Sequence, residues 1–99
     1  MPGGKAARDK PKRCELCGRH KPLSFHHLIP KKTHSRRRFQ RLFSKEERTG
    51  RGIWVCRLCH RQIHRFFTEV KLAESYNTRE ALAAEPQMAS FLAWARKQR

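Results

Sequence analysis

The sequence predicts a small α+β domain in which two short strands precede a helix, with additional helices towards the C-terminus. The first observation behind this prediction is a pair of Cys-x-x-Cys elements, Cys14 to Cys17 and Cys56 to Cys59. The second is a short apolar alternating stretch close to each element, and the third is helical spacing of apolar residues near the end of the chain. The predicted order is therefore strand, loop, strand and helix, a ββα arrangement.

Length and composition indicate that the hydrophobic core of this domain needs additional stabilisation by a disulfide or a metal ion. The chain has 99 residues, of which 37% are apolar and 32% charged, so its hydrophobic core is thin. The opening Met1-Pro-Gly-Gly has no apolar stretch to act as a secretory signal, which favours a reducing cytoplasm over disulfides. We therefore expect a cytoplasmic protein stapled by zinc.

The charge of the chain points to a polyanionic partner. The formal net charge is +16, from 24 Lys and Arg against 8 Asp and Glu. Such an excess repels itself and is normally kept because a polyanion binds it, most often through nucleic-acid phosphates. Apolar runs stop well short of the about eighteen residues of a membrane span. We expect no membrane and no small-molecule substrate, and the sequence leaves the oligomeric state open.

The N-terminal part divides into an arm and a metal-binding turn. Residues 1–12 lack a hydrophobic period and are expected to form a disordered basic arm ahead of the core, residues 13–67. Gly18 follows the second cysteine and permits the positive φ of a tight turn. The alternation from Leu23 to Ile29 predicts a strand that Pro30 ends.

The middle of the chain is predicted to be a basic loop, two short helices and a second strand. Residues 31–38 are mostly Lys and Arg. This pattern is equally consistent with a solvated loop and with a loop that contacts phosphates directly. Residues 39–43 then have helical apolar spacing, and Ser44 with Glu47 forms a capping box. Residues 49–52 are predicted to be a turn. A strand over residues 53–55 and a helix starting near Cys59 follow.

Residues 68–99 are predicted to be helices that pack on the core. Thr68 can cap one helix, Asn77 with Glu80 forms a possible second capping box, and Pro86 suits a helix start. The last helix has an apolar stripe that indicates a buried face, made by Met88, Phe91, Leu92 and Ala95.

The cysteines predict a closed tetrahedral zinc site, because paired Cys-x-x-Cys elements are typical of structural zinc. Its ligands are Cys14, Cys17, Cys56 and Cys59. Four thiolates around one zinc ion leave a net negative charge, which we expect the adjacent Arg13 and Arg57 to balance. For either pair alone, a redox dithiol is the alternative.

The histidines predict a second, open metal site. His60 and His64 are four residues apart, so on a helix they share a face and can reach one ion, away from Cys59. His26 and His27 would point to opposite faces of a regular strand, but a twist at the strand end would let both flank one pocket. We interpret His26 as the third metal ligand and His27 as the general base.

These motifs together resemble the HNH endonucleases. The resemblance lies in Cys14-Glu-Leu-Cys, in His26-His27-Leu-Ile-Pro and in the run from Trp54 to His64. It implies a ββα-metal (treble-clef-like) core, a structural zinc and one catalytic divalent ion, Mg²⁺, Mn²⁺, Ni²⁺ or Zn²⁺. It places His27 as the base and His26 and His60 as metal ligands, with His64 as an additional helical ligand. The family's middle Asn corresponds to Arg51.

The resemblance implies a metal-dependent DNA endonuclease with little sequence specificity, because its basic residues would grip phosphates without reading bases. The candidate DNA-binding residues are Lys31, Lys32, Arg36, Arg37, Arg38, Arg57 and Arg61. The alternatives are a non-catalytic, zinc-stabilised nucleic-acid-binding module and a ribosome-associated assembly protein.

Overall fold

The protein was analysed as a computed structural model that describes residues 10–99. Over this range the fold is a small α+β arrangement with a two-stranded sheet and six α-helices. Residues 1–9, which belong to the predicted basic arm, lie outside the described residues. None of the helices between residues 10 and 99 has the length and apolarity to cross a membrane.

The sheet pairs β1 (Leu23–His27) antiparallel to β2 (Gly52–Cys56), with His26 opposite Ile53. A 3-10 helix (Lys31–Thr33), α1 (Arg37–Leu42) and α2 (Lys45–Gly50) lie between the two strands. After β2 the chain forms α3 (Arg57–Phe66), α4 (Glu69–Ser75), α5 (Arg79–Ala84) and α6 (Pro86–Ala95). The α+β class predicted from the sequence is confirmed.

The strand β1 is shorter than predicted and ends at His27 rather than Ile29. Its partner strand begins only at Gly52, so no strand residue is available opposite Leu28 and Ile29. The amide of Leu28 donates instead to the carbonyl of Arg51, at 3.0 Å. The chain therefore turns inward after His27, and the side chains of Leu28 and Ile29 are buried.

The prediction of a turn over residues 49–52 is wrong, because α2 continues to Gly50. The predicted capping box starts this helix: Ser44 accepts from the amide of Glu47, and the Glu47 carboxylate accepts from the amide of Ser44. Arg51 is the only residue between α2 and β2, and its amide closes α2 by donating to the carbonyl of Glu47 at 3.0 Å.

The basic stretch over residues 31–38 is more ordered than a loop. Thr33 is buried in the 3-10 helix, and its hydroxyl donates to the carbonyl of Pro30. The His34 ring lies 2.7 Å from the carbonyl of Ile29 through Nε2. These contacts hold the backbone down while the Lys and Arg side chains of the stretch stay exposed.

Two helix starts differ from the predictions. The helix α3 begins at Arg57, directly after β2, so its first turn already contains Cys59. The cap of α5 is Thr78 rather than Asn77, because the Thr78 hydroxyl accepts from the amide of Ala81 at 3.0 Å. Asn77 instead donates its side-chain amide to the carbonyl of Ala73 at the end of α4.

The core lies between the sheet and the helices α3 to α6. Cys59 and Ile63 of α3 are buried together with Leu72 of α4 and Leu82 of α5. The predicted stripe of α6 is confirmed, since Met88, Leu92 and Ala95 are buried and Phe91 packs against them. A smaller cluster of Ile29, Phe39 and Ala73 anchors the segment after β1 to α1 and α4. This packing fixes α3 against β1, where the candidate site lies.

Candidate metal centres

Four cysteines from three parts of the chain meet in the core. Cys14 and Cys17 lie in the turn before β1, Cys56 ends β2, and Cys59 lies in the first turn of α3. Each is at most 3% exposed, and their Sγ atoms all lie within 4.8 Å of one another. The Sγ atoms of Cys17 and Cys56 are 3.8 Å apart, close to the about 3.8 Å expected between thiolates that share a tetrahedral zinc ion.

The turn that carries the first two cysteines has the backbone conformation that the sequence predicts. Gly18 has a φ of +79°, which a residue with a side chain rarely adopts. The amide of Gly18 donates to the carbonyl of Cys14 at 3.0 Å, and the amide of Cys17 donates to the Sγ of Cys14 at 3.4 Å. An amide aimed at a sulfur stabilises the thiolate form that a metal needs.

The guanidinium that contacts the sulfurs belongs to Arg19, which sequence reasoning missed. Its Nε donates to the Sγ of Cys17 and its Nη2 to the Sγ of Cys56, each at 3.4 Å. These contacts raise the pKa of Arg19 above its usual value. The two arginines expected in this role lie elsewhere: Arg13 donates to the carbonyl of Gly18, and Arg57 lines a separate groove.

Burial and mutual contacts shift the pKa values of Cys14, Cys17 and Cys59. The hydrogen bond with Cys59 is the main cause that lowers the pKa of Cys14 to about 4, while the same contact raises the pKa of Cys59. Burial raises the pKa of Cys17. Four thiolates held this close together would repel one another unless a metal ion lay between them. All four cysteines are free, and the cluster is compatible with a structural metal such as zinc.

Three histidines form a second cluster on the other side of α3. His60 and His64 share one face of this helix, with ring centroids 5.2 Å apart. The ring of His26 on β1 lies 5.3 Å from that of His60 and 5.5 Å from that of His64. One nitrogen from each ring lies within 4.8 Å of the other two. The structure thus brings together the three histidines that the sequence singled out as metal ligands.

His26 is the unusual member of this cluster. It is 1% exposed, and among residues 10–99 neither its Nδ1 nor its Nε2 has a hydrogen-bond partner. Burial, followed by the nearby His60, His64 and His27, lowers the pKa of His26 to about 3, so the ring is neutral. A buried polar atom without a partner costs on the order of 1–3 kcal/mol, and a bound cation removes that cost.

The two helical histidines each have an outer contact that sequence reasoning missed. The Oγ of Ser24 lies 2.8 Å from the Nδ1 of His60, and a carboxylate oxygen of Glu69 lies 4.0 Å from the Nδ1 of His64. Metal-binding histidines commonly use their second nitrogen in this way. Strand alternation gave a signal for Ser24, two residues before His26, whereas nothing in the sequence places Glu69 beside His64.

His27 lies on the opposite face of β1 from His26, as alternation requires. Its ring contacts that of Phe25 edge-on, with centroids 5.0 Å apart, and β1 stays paired with β2 through His27. Both histidines nevertheless line one cavity of about 220 Å³ at the end of the sheet, together with Lys31 and Lys32. The cavity reaches both faces because the sheet ends at the pair His27 and Gly52.

The position of Arg51 shows how the segment after His27 is held. Its guanidinium lies 5.4 Å from the ring centroid of Phe43 and 3.8 Å from the Glu47 carboxylate, so the side chain packs against residues close to it in the chain. Its carbonyl accepts from the amide of Leu28. The backbone of Arg51 therefore braces the segment after His27.

The predicted phosphate-binding residues fall into separate groups. Lys31 and Lys32 line the small cavity, whereas Arg57 and Arg61 line a larger groove of about 890 Å³ beside His60 and His64. Arg36 and Arg37 are exposed outside both. The guanidinium of Arg38 is held 2.7 Å from the Glu74 carboxylate and 4.6 Å from the ring centroid of Phe39, a contact that joins α1 to α4.

Comparison with known proteins finds a relative. The chain is 36% identical over 89 residues to "Uncharacterized protein YisB" of Bacillus subtilis (strain 168), and the match covers 86% of this chain and 74% of YisB. No family model matches the chain, and no solved structure matches it. At this identity and coverage, the chain belongs to the same protein family as YisB of Bacillus subtilis.

Proposed function

We propose that this protein is a metal-dependent DNA endonuclease of the HNH type, which hydrolyses phosphodiester bonds with little sequence specificity. The observation that carries the proposal is the buried, unpartnered ring of His26 beside His60 and His64. A protein gains no stability from an imidazole buried in this way, so the arrangement favours a ligand-binding role.

The donor set fits a catalytic rather than a structural metal. Nitrogen ligands about 2.1 Å from one ion lie about 3.4 Å apart, which the three rings can reach by small rotations from their spacing within 4.8 Å. Three protein ligands leave coordination positions open for substrate. His64 is exposed, so these positions face solvent, whereas the cysteine cluster is closed.

The residues around the cluster supply the remaining chemistry. A divalent cation held there would stabilise the negative charge that grows on the phosphate oxygens during hydrolysis. His27 lines the same cavity as His26 and is proposed to accept a proton from the attacking water. Lys31 and Lys32 line this cavity as well and would hold a neighbouring phosphate.

The order of the elements supports an HNH assignment. The proposed ligands and base come from β1 and α3, and β2 joins the two by pairing with β1 and leading directly into α3. We propose that these elements form the ββα-metal (treble-clef-like) core that the sequence resemblance implies, and that the cysteine cluster at the junction of β2 and α3 would hold its structural zinc. In this proposal residues 13–67 form the nuclease core and residues 68–99 the helices that pack on it.

A second function is favoured by a different pair of observations. The net charge of +16 and the cysteine cluster suffice for a zinc-stabilised nucleic-acid-binding module, and Arg51 stands where the family has its middle Asn. This module would bind DNA in a salt-dependent manner without cutting it. Substitution of its histidines would leave binding unchanged.

Plasmid nicking tests the proposal. The purified protein should convert supercoiled plasmid to nicked or linear forms with at least one of Mg²⁺, Mn²⁺, Ni²⁺ and Zn²⁺, and His27→Ala should slow cutting by a factor on the order of 10² or more. His20→Ala is the matched control, because His20 is exposed and outside both metal clusters. Equal cutting by the parent and His27→Ala would overturn the base assignment.

Metal counting separates the two functions. The nuclease holds a metal ion in addition to the one bound by cysteines, and His60→Ala with His64→Ala should remove only that ion. Elemental analysis of the purified variants measures this directly. A parent chain that holds metal only at its cysteines, and does not cut, supports the binding module.

A further inference from the structure

We infer that the groove beside α3 binds an unpaired nucleotide of a DNA strand next to the cleaved bond, so that the substrate is single-stranded or frayed DNA. This inference rests on the proposed function and deepens it by naming the substrate class. The groove, called the α3 groove below, has a volume of about 890 Å³ and is bordered by His60 and His64. It therefore opens directly onto the proposed catalytic centre.

The floor of the α3 groove is apolar. Pro22 and Leu23, where β1 begins, line it together with Leu58 of α3. Pro22 is exposed, and Leu23 and Leu58 are half-buried, so the groove presents apolar surface to solvent in a strongly basic protein. Exposed apolar surface inside a pocket with a few polar groups is typical of a ligand site.

The rim of the α3 groove is cationic. Lys21, Arg57 and Arg61 line it, and among residues 10–99 none of the three has an ion pair or a side-chain hydrogen bond. Within the part of the chain that the structure describes, no Asp or Glu lines the groove. Arg19 lines it too, but its guanidinium is engaged by two cysteine sulfurs and the carbonyl of Arg99. Among residues 10–99, the unpaired cationic side chains of the groove are therefore those of Lys21, Arg57, Arg61 and Arg99.

This combination matches one nucleotide better than a duplex. Phosphates fit these cations, while an apolar surface of this kind is best covered by the flat face of a base. In a duplex the base faces are covered by stacking, so a base reaches such a floor only when it is unpaired. The volume of about 890 Å³ lies within the range of sites for small organic ligands, which includes a nucleotide.

Binding of three DNA ligands tests the inference without relying on cleavage. The full chain with His27→Ala, loaded with zinc, is titrated into labelled DNA and followed by fluorescence anisotropy at fixed salt. The ligands are a single strand of about twelve nucleotides, a blunt duplex of the same sequence, and the same strand with abasic sugars. We expect the strand to bind about tenfold more tightly than the abasic strand, because an abasic sugar has no base to place on the apolar surface of the groove.

The single strand should also bind more tightly than the blunt duplex. On the protein side, Pro22→Glu places a carboxylate in the α3 groove and should weaken single-strand binding about tenfold. Gln87→Glu makes the same charge change at an exposed site on α6 and should leave binding within about twofold. Circular dichroism confirms that both variants fold.

The outcomes separate this inference from the proposed function. Equal binding of the normal and abasic strands, or tighter binding of the blunt duplex, overturns the inference even if the parent protein cuts DNA. Equal loss of affinity in Pro22→Glu and Gln87→Glu overturns it as well. A base-dependent preference for the single strand in a protein that never cuts DNA supports the groove and overturns the nuclease.

Discussion

Ser24 and His60 are joined across β1 and α3 by a contact of 2.8 Å between Oγ and Nδ1. When Nδ1 carries the proton and donates it to Ser24, the lone pair of Nε2 is left for a metal ion. Ser24 and His26 lie on the same face of β1 because they are two residues apart. One face of β1 therefore supplies a proposed metal ligand, His26, and also Ser24, which orients the second proposed ligand, His60.

We predict that Ser24→Ala weakens metal binding at the histidine cluster by about 10–100-fold, the usual effect of losing such an outer contact. Isothermal titration with Ni²⁺ or Zn²⁺, after the cysteine cluster is filled, measures this affinity. Ser35→Ala is the control, because Ser35 is exposed and belongs to neither metal cluster. Unchanged affinity in Ser24→Ala would show that Ser24 does not orient His60.

Metal removal should unfold the domain. Structural zinc contributes on the order of 10 kcal/mol or more, comparable to the whole stability of a small domain, and the buried cysteines form part of the main core here. Cys56→Ser or a strong chelator should abolish the cooperative thermal transition seen by far-ultraviolet circular dichroism. His60→Ala should retain that transition. A chelated, zinc-free protein with native helix content would contradict this prediction.

Much of this structure could be predicted from the sequence because the signals are local. The capping box of Ser44 and Glu47, the positive φ of Gly18 and the shared helical face of His60 and His64 each depend on residues at most four positions apart. Local spacing fixes such features before any tertiary contact forms. The cysteine cluster could be predicted as well, since two spaced Cys-x-x-Cys elements are typical of zinc.

The missed features depend on contacts between distant segments. Glu69 approaches His64 only because α4 turns back after α3, and Arg19 reaches Cys56 only because the first turn packs on the end of β2. Arg38 could not be separated from its basic neighbours by sequence, since its partner Glu74 lies on α4. The pattern of charges in a sequence does not show which residues pair when they are so far apart in the chain.

The neutral state of His26 makes stability depend on pH. Its pKa is about 3 in the fold and near 6.5 when exposed, so between these values the unfolded chain binds more protons. Its contribution is complete above about pH 6.5 and is lost as the pH falls towards 3, with a slope of up to about 1.4 kcal/mol per pH unit.

Urea unfolding between about pH 5 and pH 7, with only enough zinc to fill the cysteine cluster, measures this slope. The variant His26→Leu should show a smaller decrease in the free energy of unfolding towards low pH than the parent does. His20→Leu at an exposed position should keep the parent slope. Identical slopes in the parent and His26→Leu would contradict a buried neutral ring.

Gly52 should tolerate no side chain, because it is paired with His27 at the end of the sheet, against the ring of Phe25. A Cβ at this position would overlap the ring of Phe25 and lie 2.6 Å from the carbonyl oxygen of His26. The backbone carbonyl cannot rotate away, so we expect Gly52→Ala to lower the free energy of unfolding by about 1–3 kcal/mol and to displace His26.

Gly50→Ala is the control, since Gly50 is the last residue of α2 and has a negative φ. It should not lower the free energy of unfolding, because alanine suits a helix better than glycine. Chemical denaturation of both variants measures the difference in stability. A loss of metal affinity in Gly52→Ala alone would link the end of the sheet to the histidine cluster. Equal stability of the two variants would show that the close approach of Phe25 to Gly52 is absent in solution.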